Sequence, residues 1–252
     1  MKVLIVSNWK MNPPSFREAK RLLEATKKAV EHAAGVSVVV TPPALYLREL
    51  RAASRSKKIA FAAQNAHAEM GGAFTGEISM RQVKDSRVSY VLIGHAERRA
   101  MGETNDDTRR KIGAALGAGL VPIFCVGEAK RDSGGEHFGF IRDQLRAGLV
   151  DTPPVKISKI IIAYEPVWAI GAESAMSPRD MHEMAIFIRK TIVDLHGAVG
   201  HSVKILYGGS IAEKNAPAML MHGDVDGLLV GRASANPERI TLLLEAVGDT
   251  RP

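Results

Sequence analysis

Cysteine is almost missing from this chain. Cys125 stands alone, so no intrachain disulfide framework can staple the fold. Its neighbours, Ile123-Phe124-Cys125-Val126-Gly127, read as the buried end of a strand, which favours a core role over a nucleophilic one. No apolar run approaches the ~20 residues that a membrane span requires. The first ten residues, MKVLIVSNWK, lack the long apolar region and small-residue cleavage site of a secretory signal. They are expected to form a first strand, in a protein of the cytoplasm. Metal-ligand spacing is also missing: His182, His196, His201 and His222 fall within or after helix-like stretches and are expected at the surface. No metal or cofactor is expected. A basic tail, zinc-finger spacing and an aromatic-studded basic strand are all lacking, which argues against a nucleic-acid partner despite a formal charge of +7. The excess charge is carried mostly by solvated helix faces. Any functional share of it suits a small phosphorylated metabolite better than a membrane surface.

What remains is a chain of 252 residues, 46% of them hydrophobic, enough for a substantial core in one large domain or two small ones. Short apolar runs alternate with longer amphipathic stretches from end to end. The candidate strands begin at Val3, end at Thr41, and begin again at Ile59, Tyr90, Leu120, Lys159, Val203 and Asp226. Each is nearly uniformly apolar, as parallel strands covered on both faces must be. Between them lie helix-start signals: a capping box at Ser15 to Glu18, Ser177 before Pro178, and Asn236 before Pro237. Gly35, Gly119 and Gly197 fall where helices should end. The segment from Asp132 to Gly139 reads as a flexible loop. A doubly wound sheet would be expected to carry a glycine-rich fingerprint after its first strand. Here that strand runs into Asn8-Trp9-Lys10, and no linker divides the chain. One (β/α)8 barrel spanning 1–252 is the better account.

In such barrels the C-terminal strand ends converge on one face, where chemistry is placed. Read there, the chain offers Asn8 and Lys10 after the first strand, His95 and Glu97 after the fourth, and Glu165 after the sixth. Gly208-Gly209-Ser210 follow the seventh and Gly231-Arg232 the eighth. Any one of these could be a satisfied structural residue. Their convergence on one end of one barrel is what points to a site.

The segments NWKMN (Asn8 to Asn12), QNAHAEMGGAFTGEIS (Gln64 to Ser79), GHAERR (Gly94 to Arg99), AYEPVWAIG (Ala163 to Gly171) and YGGS (Tyr207 to Ser210) resemble the triosephosphate isomerase family, in order and over essentially the whole chain. The family is itself the standing example of a glutamate base working with a neutral histidine, and it is the resemblance that implies these roles here. The resemblance implies interconversion of dihydroxyacetone phosphate and D-glyceraldehyde 3-phosphate, a step of glycolysis and gluconeogenesis. Glu165 is then the base and His95 a neutral donor to the enediolate, its neutrality depending on a helix that starts near Ala96. Lys10 places positive charge beside the oxyanion, Asn8 adds a donor, and Glu97 pairs with Lys10. Phosphate falls to the backbone amides of Gly171, Ser210, Gly231 and Arg232. Pro166, Val167, Trp168, Ala169, Ile170 and Gly171 belong to a lid. The segment carrying Thr75 reaches into a partner subunit, implying a homodimer.

The chain departs from the family pattern at three places. Ala96 stands where the family usually has a serine that steadies the resting base. Ala172 to Met176 replaces the more common Thr-Gly-Lys-Thr-Ala, bringing Glu173 near the incoming phosphate. Arg232 replaces a common glycine, and its side chain is expected in solvent, with a phosphate contact as the alternative. A sibling isomerase acting on a four-carbon ketose phosphate such as erythrulose phosphate is the nearest rival. A silent barrel is less favoured, having no need to keep Asn8, Lys10, His95 and Glu165 together.

Overall fold

The residues of β1 (Val3–Asn8) alternate between two cores: Leu4 and Val6 pack in the barrel interior, Val3 and Ile5 against the surrounding helices. A strand with apolar cover on both sides has no polar face to show, which explains the unbroken apolar runs. β2 (Val36–Thr41), β3 (Ile59–Ala63), β4 (Tyr90–Ile93), β5 (Val121–Val126), β6 (Ile161–Tyr164), β7 (Lys204–Tyr207) and β8 (Gly227–Val230) follow, each parallel to its neighbour. β8 pairs back onto β1, Leu4 opposite Gly227 through Ser7 opposite Val230, and closes the barrel. The computed structural model describes residues 2–132, 134–170 and 175–248.

The helices are α1 (Phe16–His32), α2 (Ala44–Ala53), α3 (Met80–Asp85), α4 (Ala96–Ala100), α5 (Asn105–Gly117), α6 (Glu136–Leu149), α7 (Pro154–Ile157), α8 (Pro178–His196), α9 (Ala216–His222) and α10 (Pro237–Gly248). Among the described residues none is long and apolar enough to cross a membrane. The barrel interior holds Leu4, Val39, Leu92, Ile123, Leu206 and Leu229 with Cys125, all buried. Truncating one of these leucines to alanine should cost about 2–5 kcal/mol, because a closed barrel cannot collapse onto the cavity.

The caps at Ser177 and Asn236 accept amide hydrogens of α8 and α10. Ser15 caps α1 through the Glu18 amide, but the Glu18 carboxylate takes the Ser15 hydroxyl and not its backbone amide, so the box is half formed. The segment from Asp132 is not all loop: residues from Glu136 onward are helical. The two carboxylate oxygens of Asp132 accept the Glu136 and His137 amides at 3.0 and 3.2 Å, supplying the cap that Gly135 cannot. His182, His201 and His222 are exposed, whereas His196 is half-buried and burial lowers its pKa.

Candidate active site

Asn8, Lys10, His95, Glu165, Ser210, Gly231 and Arg232 line one cavity of about 350 Å³ at the C-terminal strand ends, joined by Ile170 and Arg239. Glu165 follows β6 and is 3% exposed. One carboxylate oxygen lies 3.1 Å from His95 Nε2, and the other accepts the Ala96 amide at 3.2 Å. Burial raises the Glu165 pKa, but His95 and the Ala96 N–H outweigh it, so the carboxyl sits below its ordinary value. Cys125, inside the barrel below it, is pushed well up by burial and by that same carboxylate, and is therefore a protonated thiol. The space for the Glu165 side chain depends on glycine: a Cβ on Gly208 would meet Glu165 Cγ at 2.8 Å.

Gly94, at φ +74°, turns the chain out of β4 and sets His95 as the N-cap of α4. His95 Nδ1 accepts the Glu97 amide at 3.2 Å, so the ring proton must sit on Nε2, facing Glu165. Asn8 Nδ2, 3.3 Å from the same Nε2, is then close without a hydrogen bond, since both groups are donors. Burial lowers the His95 pKa, while the carboxylates of Glu165 and Glu97 lift it above its ordinary value and Lys10 opposes them. The lift comes first from the Glu165 contact. A group that displaced Glu165 from the ring would leave burial, Lys10 and the amide on Nδ1 acting together for the neutral form.

Lys10 has φ +53°, a left-handed conformation costing about 1–2 kcal/mol in a residue with a Cβ. Its backbone is held there from both sides: its N–H donates to Asn8 Oδ1 at 3.1 Å, and its carbonyl accepts Gln64 Nε2 at 2.7 Å. The ammonium lies 2.6 Å from Glu97, which itself stays outside the cavity lining. Strain at this position is spent on aiming a cation into the cavity.

Val167–Ala169 form a single 3-10 turn after Pro166, with Ala169 buried and Ile170 facing the cavity. Glu128, after β5, holds this turn: its carboxylate accepts Trp168 Nε1 at 2.7 Å and Tyr164 OH at 2.9 Å, and its carbonyl accepts the Val167 amide. Burial and the Glu128 carboxylate push the Tyr164 pKa up, so the phenol stays a donor. The Met176 amide donates to Tyr207 OH. Gly171 and Glu173 lie outside the described residues. Thr75 is exposed on the 65–79 segment, away from this cavity, where Phe74 stacks on His67 with ring centroids 4.3 Å apart.

Several residues that hold or line the cavity carry too little signal at the strand ends to be found there: Glu128, Gln64, Arg239 and the Ala96 amide. Glu128 has one usable signal, an acid just past an apolar strand. The Ala96 amide has none, because a backbone donor has no side-chain signature. Among the described residues no three His, Cys, Asp or Glu gather as a metal site.

A sequence model of the family described as "TIM: Triosephosphate isomerase" matches residues 3–247. A triosephosphate isomerase of Endomicrobium trichonymphae is 40% identical over 246 residues, covering 97% of this chain and 98% of that protein.

Proposed function

The chain belongs to the triosephosphate isomerase family, and from that membership we propose which residues carry the interconversion of dihydroxyacetone phosphate and D-glyceraldehyde 3-phosphate. The observation that supports the assignment best is the buried contact of Glu165 with His95 Nε2 in a cavity also lined by Lys10. Glu165, ionised and nearly dry, takes a proton from the hydroxymethyl carbon of the ketose phosphate. The C–H electron pair forms the enediolate double bond, and the carbonyl electrons move onto oxygen. His95 Nε2–H donates to that oxygen and Lys10 Nζ lies beside it, so the developing charge meets donors already in place. The aldose forms when the carbon proton is returned to the neighbouring carbon and the hydroxyl proton of the first carbon's oxygen passes to the second carbon's oxygen. The first oxygen becomes the carbonyl and the second the hydroxyl, and no other reactant is consumed. Glu97 acts through others: its amide fixes the His95 tautomer and its carboxylate aims Lys10. Asn8 holds the Lys10 backbone and flanks the oxyanion.

The phosphate end is read as the amides of Ser210, Gly231, Arg232 and Gly171, with the Arg232 guanidinium added to them. Arg232 is both solvent-exposed and part of the cavity lining, a position from which it can reach the rim of a bound phosphate. Residues 166 to 171 serve as the lid, closing over the intermediate to exclude water. The Glu128 contacts with Trp168 and Tyr164 give this turn a fixed anchor. The barrel is read as one catalytic domain, paired as a homodimer through the exposed segment around Thr75, in the cytoplasm with the rest of glycolysis. The four-carbon alternative draws no support from the family match.

The test is isomerisation of dihydroxyacetone phosphate without added metal or nucleotide, wild type against Glu165→Gln. Wild-type turnover with a fall of roughly 10²–10⁴ in the variant is expected. Folded wild-type protein that ignores the triose but turns over erythrulose phosphate would overturn the reading.

A further inference from the structure

Every residue from Gly208 to Ala212, the run that leaves β7, lines the cavity of Glu165 and His95. Asn215 stands outside that lining and holds the run in shape. Its Nδ2 donates to the Ser210 carbonyl at 2.9 Å, and its Oδ1 accepts the Ala212 amide at 2.9 Å. One planar side-chain amide thus spans Ile211 and fixes the backbone on both sides of it. Asn215 is also the N-cap of α9, a place where asparagine ordinarily turns onto the second or third amide of its own helix. Pro217 has no amide to offer, and the Asn215 side chain makes no cap bond at all. The side chain is committed to the strand-end run and not to the helix it begins. The Asn215 backbone tightens the same turn, since the Asn215 and Ala216 amides both donate to the Ala212 carbonyl, at 3.2 and 3.0 Å.

We propose that Asn215 is a positioning residue for the substrate's phosphate, and through it for the preference of a phosphorylated triose over the bare one. The proposal rests on the reading of the Ser210 amide as a phosphate donor. Backbone amides hold an anion only when they converge on it, and a carbonyl oxygen turned the same way would repel it. Asn215 draws the Ser210 carbonyl onto a group outside the cavity lining. The planar peptide then turns the Ile211 amide the opposite way. By holding Ala212 as well, Asn215 keeps the run from rotating about Ile211. It acts only through the backbone, because its side chain reaches neither the phosphate nor the reacting carbons.

The experiment compares D-glyceraldehyde 3-phosphate with D-glyceraldehyde, which undergoes the same proton transfer without a phosphate, in wild type and Asn215→Ala. With the phosphorylated substrate kcat/KM should fall about 10- to 100-fold, the cost of a positioning error of roughly 1 Å. With glyceraldehyde it should stay within about twofold of wild type. Calorimetric titration of inorganic phosphate needs no turnover, and Asn215→Ala should bind it about tenfold more weakly, the share of one charged hydrogen bond. Asn215→Ser gives α9 a cap hydroxyl but is too short to bridge Ser210 and Ala212. It should show the same losses, and serves if Asn215→Ala does not fold. Equal losses with the two substrates would reduce Asn215 to a general support of the barrel and overturn the proposal. So would an unchanged kcat/KM for the phosphorylated substrate, an unchanged phosphate affinity, or no saturable phosphate binding by wild type. Glu165→Gln separates these outcomes from a failed base assignment, because it should lose turnover and bind phosphate as wild type does. Wild type that isomerises neither substrate would sink the base assignment, and the phosphate titration would still decide the role of Asn215.

Discussion

Gly208→Ala isolates the position of Glu165, the proposed base, from its chemistry. Gly208 is not among the positive-φ glycines, so the added methyl acts chiefly through its volume. It would lie 2.8 Å from Glu165 Cγ, 3.3 Å from the Tyr164 carbonyl and 3.5 Å from Leu229 Cβ. Carbon atoms settle at about 3.5–4.0 Å, so roughly 1 Å must be found. The Gly208 amide is tied to the Tyr164 carbonyl at 2.8 Å, which leaves the Glu165 side chain as the part that gives way. Moving a reacting group by about 1 Å costs on the order of 10² in rate. Allowing for partial relief elsewhere, kcat should fall about 10- to 100-fold, a barrier increase of about 1.4–2.7 kcal/mol. KM should change little, because the phosphate end is untouched. Overpacking costs about 1–3 kcal/mol of stability, lowering Tm by about 2–4 °C per kcal/mol in a domain of this size. Steady-state kinetics and thermal unfolding read both effects. Gly113→Ala, on the exposed face of α5 with nothing within 4 Å of the added methyl, should keep kcat and gain about 0.8–1.0 kcal/mol of helix propensity. A folded Gly208→Ala enzyme with kcat within about twofold of wild type would refute the idea that this glycine sets the base.

Because the folded pKa of Glu165 lies below its ordinary value of 4.5, the stability it contributes is present above that value and is lost as pH falls through the folded value. The unfolding free energy of wild type relative to Glu165→Gln should therefore decline below about pH 4.5, and a difference that stays flat through the acid range would contradict the assignment. Glu128→Ala strands the buried Tyr164 hydroxyl and releases the Trp168 indole to water. A loss of about 1–3 kcal/mol in chemical denaturation is expected, with a shift in Trp168 fluorescence that Glu128→Gln largely restores. Arg232→Ala should raise KM about tenfold at nearly constant kcat if its guanidinium meets phosphate, since a charged hydrogen bond contributes ~1.5–3 kcal/mol. An unchanged KM would return that side chain to solvent.

The barrel itself was legible in the chain alone. Eight runs apolar on both faces, separated by capped amphipathic stretches, can be satisfied only by parallel strands with a wall on each side, and periodicity and caps are local properties. The same logic located the strand-end residues Asn8, Lys10, His95 and Glu165, because charge at the end of a buried strand has to be there for something. Local patterns could not say which atoms meet. Lys10 and Glu97 are 87 residues apart, and the proton on His95 Nε2 follows from one backbone amide of α4. The Ala96 amide holds Glu165 although residue 96 has no polar side chain, so the missing serine does not leave that oxygen without a donor. Glu128 meets the turn after β6 only because Trp168 and Tyr164 converge on it. Chain composition and period decide which surfaces must be covered. Donor–acceptor geometry between distant segments exists only after folding, and in this protein the state of each site group depends on that geometry.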